Sequence, residues 1–422
     1  MSGLALVAHE LGAEVTGSDR STESAYLRAL RERGMAPAEG HEAGNVPDGA
    51  EVVVSSAIGS ENPERRAAVE RGLRELHRAE LLGEITALRP TIAVSGTHGK
   101  TTTSSMIVHA LRACGLDPGY LVGGEVRSTG ANAGWGKGEW LVVEADESDR
   151  SLLRLQRTIA VVTNAELDHH ATYSSQRDVE ETFAAFLALA EIAVIGDQPG
   201  LARLAAGAER VVVGRAEDVE LRPGGSRFTV DGLPVTLTVP GAHNAHNAAA
   251  ALAACRLADA DPAAAAAALA EFGGAGRRFE RLGATSEGVV VIDDYAHHPT
   301  EVRATIEAAR TLEHRRLIAV FQPHLYSRTR HQAREFGAAL ALADLVVVLD
   351  IYPARERPED FPGVTGRLVA ATAADAANGR RVGWLPRFDD AERFLRGELR
   401  AGDVLLTLGA GNVDALGRRL VA

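Results

Sequence analysis

Short runs of β-branched and aliphatic residues recur along the chain, separated by helix-length stretches whose apolar positions return every three or four residues. Ala50–Ala57, Thr91–Ser95, Trp140–Ala145, Thr158–Thr163, Gly288–Ile292, Arg316–Phe321 and Leu345–Leu349 read as buried strands. Lys100–Ala113, Pro299–Ala309 and Ser327–Ala341 read as helices between them, and Leu4–Leu11 as a further amphipathic helix closed by Gly12. Strands alternating with helices predict an α/β protein with parallel sheets. Residues Leu221–Pro240 break the pattern: short apolar runs between Gly and Pro turns predict a small antiparallel excursion. The alanine run Ala263–Ala268 is compatible with a helix and carries no chemistry.

Two places interrupt the alternation. Arg89–Pro90 separates a helical stretch from a new strand, and Gly273–Gly276 precedes a second strand series. They divide the 422 residues into three expected domains, 1–88, 89–273 and 274–422. Composition supports packed cores, with 45% hydrophobic and 24% charged residues. The net charge of −12 argues against a general binder of nucleic acid or anionic membrane. No apolar run reaches the roughly 20 residues of a membrane helix. The two cysteines, Cys114 and Cys255, lie in apolar stretches and are expected as buried thiols in a reducing cytoplasm.

The sharpest chemical signal follows the strand Thr91–Ser95. Gly96-Thr97-His98-Gly99-Lys100-Thr101 leads into a helix, so backbone N–H groups point at an anion. Lys100 is placed to reach a β/γ-phosphate, and the Thr101 hydroxyl suits Mg²⁺. Val94 occupies a position that is Gly in the longer form of this loop. Downstream, Glu144-Ala145-Asp146-Glu147-Ser148-Asp149 closes another strand. Alone, such a cluster fits a solvated loop; beside a phosphate loop it is expected to supply a second magnesium ligand. The next strand ends in Thr163-Asn164-Ala165-Glu166-Leu167-Asp168-His169-His170, at the same expected crevice.

The segments GTHGKTTT, EADESD, TNxExDH, HNAHNAAAA, RRF, DDYAHHPTEV and FQPHxYSRT occur here in the order found in Mur ligases, and the resemblance covers essentially the whole chain. It implies a Rossmann-like N-terminal domain, a P-loop ATPase central domain and a Rossmann-like C-terminal domain, with the active site between them. The alanine-adding branch is the nearest match. It uses ATP and Mg²⁺ to join L-alanine to UDP-N-acetylmuramate through an acyl phosphate, in peptidoglycan synthesis. The tripeptide-recycling branch, which carries Tyr where Ser148 stands, and a non-catalytic nucleotide binder are the alternatives.

The same resemblance assigns residues. Ser95, Gly96, Thr97, His98, Gly99 and Lys100 belong to the ATP phosphates, and Thr101, Glu144 and His169 to the metal. Asn244 and Asn247 resemble adenine contacts, with helix capping as the competing reading. Arg278 resembles a phosphate contact, and Asp294 with Tyr295 positions near the ribose. Lys100, His169, His297 and Arg328 take catalytic roles; His297 and Arg328 also position the acceptor carboxylate or the incoming alanine. Ser18, Asp19, Ser55 and Ser56, with Asn62-Pro63-Glu64, resemble the uridine-nucleotide pocket. His243 and His246 have helical ligand spacing but no evident partner for zinc. Leu325 stands where many relatives place Arg, which removes one expected cation from the alanine site; Leu152 and Ala171 are milder departures. Relatives carry a strand and a GxGGxG turn directly before the Met1-Ser2-Gly3 match, so the N-terminal sheet is expected to lack its first strand.

Overall fold

The computed structural model describes residues 1–20 and 25–422. Its centre is a seven-stranded sheet in the spatial order Arg210–Gly214, Ile192–Gly196, Ile159–Val162, Thr91–Ser95, Leu141–Glu144, Gly119–Val126 and Ala131–Gly134. All neighbours pair in parallel except the last two. Every residue of Thr91–Ser95 is buried, because helices cover both faces. Alternation decides which face each side chain joins. Ile92 and Val94 pack with Met106 and Leu111 of the helix Lys100–Ala113, whereas Ala93 packs with Phe183 and Phe186. Full burial of an aromatic of that size contributes about 1.5–3 kcal/mol.

The last third of the chain forms a six-stranded sheet ordered Glu280–Ala284, Val290–Asp294, Val404–Leu408, Leu317–Phe321, Leu345–Val348 and Arg381–Trp384. It too has two apolar faces: Leu317, Ala319 and Phe321 go to one cluster, Ile318 and Val320 to the other. Its first strand runs antiparallel. The expected antiparallel excursion is a three-stranded meander, Glu217–Arg222, Gly225–Val230 and Leu233–Leu237.

The first eighty-odd residues carry two separate parallel ladders, Ser18–Asp19 with Ala38–Glu39 and Val52–Val54 with Glu75–His77. Among the described residues no strand joins them. The helix Ser2–Glu10 packs instead onto the central unit, with Leu4, Leu6 and Val7 in the cluster that holds Leu121 and Ala133.

Several expectations need correction. The strand expected over Ala50–Ala57 is only Val52–Val54, because a turn closes from Ser55 O to Ile58 N–H. The strand expected from Gly288 begins at Val290, since Gly288 ends a turn from Thr285. Cys255 is buried, but Cys114 is half-buried at the end of its helix, where packing is incomplete.

Candidate active site

Two glycines shape the loop after Thr91–Ser95. Gly96 has φ +135° and Gly99 φ +80°, a region that side chains strain to enter. A Cβ on Gly96 would overlap the Thr163 hydroxyl, and one on Gly99 would overlap Asn247 Oδ1. The end of the neighbouring strand clamps the loop: the His98 N–H donates to Asn164 Oδ1 at 2.8 Å, and Asn164 Nδ2 donates to His98 O at 2.9 Å. Ser95 is fully buried, its hydroxyl donating to Ala145 O. Thr97 Oγ1 donates to Glu166 O at 2.9 Å.

Lys100 curls back over this loop. Its ammonium donates to Gly96 O at 2.7 Å, Thr97 O at 3.0 Å and Glu147 Oε1 at 2.9 Å. Burial alone would lower its pKa, but the charge and hydrogen bond of Glu147 outweigh that and raise it, so the cation is secure at neutral pH. Thr101 Oγ1 donates to Glu144 Oε1 at 3.0 Å, and Arg278 from the third unit reaches the same hydroxyl at 3.4 Å.

The acidic run is not a solvated loop; its members have separate partners. Glu144 faces Thr101 and the Gly123 N–H, while Asp146 and Asp149 both accept from Arg78 of the first unit. Glu147, 3% exposed, joins Lys100 to His169, whose Nε2 lies 3.3 Å from Glu147 Oε1. His169 Nδ1 is buried and has no hydrogen-bond partner. A hydroxyl, carboxylates and an imidazole beside a phosphate loop are donor types that a divalent cation takes, although among the described residues Glu144 and His169 belong to no group of three close ligand atoms. Nothing in the sequence separates Glu147 from the other acids of its run.

A cavity of about 320 Å³ opens beside the loop, lined among others by His98, Asn164, Asn244, Asn247, Arg278 and Asp294. The capping reading of Asn244 is excluded. The helix Ala242–Leu257 is capped by Gly241, and Asn244 Nδ2 donates to Pro240 O at 2.7 Å. Asn247 Nδ2 reaches Asn244 Oδ1 at 3.4 Å, so a donor–acceptor pair lines the cavity wall. Asp294 accepts from the backbone N–H groups of Phe279 and Ala296; burial pushes its carboxyl up to about 6 despite Arg278. The Tyr295 ring lies under the guanidinium of Arg278, 4.9 Å away. His243 is exposed at the start of the helix. Neither His243 nor His246 belongs to a metal-competent group among the described residues.

Further pairs bind the second and third units together. Thr300 Oγ1 donates to Glu166 Oε2 at 2.7 Å, and His98 lies 3.4 Å from Glu166 and 3.5 Å from Glu301. Burial opposes charge on His98, yet the two carboxylates raise its pKa to about 9. His98, Glu166 and His298 hold ligand atoms within 4.8 Å of one another. Thr300 engages two of these residues, its hydroxyl donating to Glu166 Oε2 and its N–H to His298 Nδ1.

Arg328, 2% exposed, grips Asp168 with Nε and Nη2 at 3.0 Å each, and its Nη1 lies 3.1 Å from His324 Nδ1. The fork expected to meet a substrate carboxylate is thus occupied by Asp168. His297 Nδ1 lies 3.0 Å from Tyr295 O, and burial depresses the pKa well below its usual value. In the first unit, Ser18 Oγ donates to Glu64 Oε2 at 2.7 Å and meets His41 at 2.9 Å, while Asn62 caps the helix Pro63–Glu70. Asp19 ends the same strand; Ser55 is half-buried and Ser56 exposed on the turn after Val52–Val54.

A phosphate loop at the end of a parallel sheet, a cavity closed by a third α/β unit, and first-unit contacts to its acidic run define a multidomain nucleotide-binding enzyme. The comparisons narrow the class. The Mur ligase family catalytic domain matches residues 1–89, the Mur ligase middle domain 94–255, and the Mur ligase glutamate ligase domain 277–411. The chain is 44% identical over 440 residues to a UDP-N-acetylmuramate–L-alanine ligase of Nitratidesulfovibrio vulgaris strain Hildenborough, covering 100% of this chain and 96% of that one. It is 45% identical over 449 residues to the ligase of the same description from Thermobifida fusca, covering 100% and 93%. The crystal structure of UDP-N-acetylmuramate-alanine ligase from Thermotoga maritima superposes with a TM-score of 0.84 at 26% identity, covering 100% and 95%. The chain belongs to the Mur ligase family.

Proposed function

We propose that the protein uses ATP to join L-alanine to the lactyl carboxylate of UDP-N-acetylmuramate, giving UDP-N-acetylmuramoyl-L-alanine, ADP and phosphate. The observation that carries this reading is full-length similarity, at 44–45% identity, to ligases described by those two substrates. The site chemistry supports it. The lactyl carboxylate attacks the γ-phosphorus, the bond to the β–γ bridging oxygen breaks, and an acyl phosphate and ADP result. The amine of alanine then attacks the acyl carbon, and phosphate leaves.

In the first step two anions must approach each other. Lys100, held on the loop by Gly96 O and Thr97 O, and Arg278, directed at Thr101, offset that repulsion. Thr101, Glu144 and His169 would hold Mg²⁺, which neutralises phosphate charge when bound. Asn244 and Asn247 offer an adenine edge both donor and acceptor. In the second step alanine must shed a proton. The ring of His297 is neutral at pH 7; with Nδ1–H donating to Tyr295 O, its Nε2 keeps a lone pair. Closure of the third unit over the loop keeps water from the acyl phosphate. Ser18, Asp19, Ser55 and Ser56 are assigned to the uridine nucleotide. Arg328 acts through Asp168, which it fixes beside His169.

A coupled assay of ADP release tests the reading. Release is expected to require ATP, UDP-N-acetylmuramate and alanine together, and to fall about 10²–10³-fold in Lys100→Ala with the fold intact. Turnover without alanine, or with a murein tripeptide in its place, would refute it.

A further inference from the structure

The cleft beside His169 contains two guanidinium groups with different fates. It is lined by Asp168, His169, Leu325, Arg328 and Arg355, among others. Arg328 is neutralised by Asp168 through two hydrogen bonds. Arg355 is exposed, and among the described residues it has no hydrogen-bond or ion-pair partner.

An exposed arginine is ordinarily a solvated surface charge, so the position of Arg355 needs a specific cause. Its loop is fastened to the start of the helix Tyr326–Leu340 on both sides. The Tyr352 N–H donates to Pro323 O at 2.8 Å, and the Leu325 N–H donates to Tyr352 O at 3.0 Å. Past Arg355, Glu356 accepts from the Ser327 N–H at 3.0 Å and from the Ser327 hydroxyl. Residue 355 is therefore held opposite residue 325. Leu325 itself adopts φ +68°, which non-glycine residues enter only under strain, and its side chain is 7% exposed. It presents an apolar surface where the ligase pattern supplies a cation. Of the charged groups lining the cleft, Asp168 is taken up by Arg328 and Glu356 by Ser327, which leaves the Arg355 guanidinium as the charge without a partner among the described residues. The cleft is small, about 10 Å³, space for about one water.

We infer that Arg355 binds the carboxylate of the incoming amino acid, supplying from the opposite loop the cation that Leu325 lacks. This rests on the proposed ligase reading and adds a substrate-binding residue to it. A guanidinium forks onto a carboxylate, whereas the spent Arg328 supports the cleft from behind.

The test measures KM for alanine, ATP and UDP-N-acetylmuramate in the unsubstituted protein, in Arg355→Ala, and in Arg355→Ala combined with Leu325→Arg. Arg355→Ala is expected to raise KM for alanine about tenfold or more while the other two constants stay within about twofold. Returning the cation at position 325 is expected to restore most of the affinity for alanine. A KM for alanine unchanged in Arg355→Ala would overturn the inference while leaving the ligase reading intact, and so would a parallel rise in all three constants. Absence of alanine-dependent ADP release in the unsubstituted protein would overturn both.

Discussion

Replacing Glu301 by Gln tests whether charge on His98 joins the second and third units. His98 lies between two carboxylates, 3.4 Å from Glu166 and 3.5 Å from Glu301, and its pKa rises from 6.5 to about 9. A shift of that size is worth about 3 kcal/mol. Glu166, lowered to about 2 by the same contacts once they outweigh its burial, describes that energy from the other side and adds nothing to it. Glu301 is one of the two carboxylates that outweigh the burial of His98, so its neutralisation costs on the order of 1–3 kcal/mol. The sign follows from the raised pKa. The stabilisation is complete below the unfolded value near 6.5 and disappears as pH rises through about 9. Glutamine keeps an oxygen for the N–H groups of His297 and His298, which Glu301 now caps, so the cap survives. Urea and thermal midpoints of both proteins, compared at about pH 6 and about pH 9.5, give the readout, since a three-unit chain need not unfold in two states. The variant is expected to melt earlier at the lower pH and to match the parent at the higher. An equal loss at both would show that Glu301 acts through its cap and not through His98.

Other changes probe the remaining parts of the site. Glu144→Gln removes the carboxylate charge beside Thr101 and is expected to raise the Mg²⁺ concentration for half-maximal activity about tenfold; unchanged titration curves would assign the metal elsewhere. Gly99→Ala puts a methyl into Asn247 Oδ1 at φ +80°, and is expected to weaken ATP binding about tenfold by calorimetry. Arg328→Lys leaves the buried Asp168 without its two-point partner and should destabilise the protein by roughly 2–3 kcal/mol in thermal melts.

The strands flanking the phosphate loop were legible because burial on both faces leaves an uninterrupted apolar signature. The helices Lys100–Ala113 and Pro299–Ala309 were legible to the residue, the first opened by Gly99 and the second by a proline in its first turn. The hairpin Gly119–Gly134 was not, since glycine and alanine dominate it and its role comes from pairing at a sheet edge. Within the site, motif spacing marked Lys100, Thr101, Glu144 and His169. It did not show that Asp168 would occupy Arg328, a contact across 160 residues. Nor did it reveal the link from Glu301 to His98. Glu301 reads locally as a capping-box acid three residues after His298, a sufficient explanation that concealed its second partner.

The helix Ala242–Leu257 has a thermodynamic consequence for ligand binding. From Ala248 to Cys255 its buried side chains are alanine apart from Leu252 and the terminal cysteine. A Cβ on Gly214 would lie 2.6 Å from Ala250 Cα, so strand and helix meet almost backbone to backbone. Alanine has no rotamers. Side chains that order when a ligand arrives lose up to about 2 kcal/mol each, and alanine loses none. The wall behind the cavity beside the phosphate loop therefore has little conformational freedom left for a ligand to quench. Asn244 and Asn247 project from a support that is already at low entropy before binding. The same closeness makes the wall intolerant of growth: one extra methylene there should cost about 1–3 kcal/mol and displace the asparagines that face the cavity.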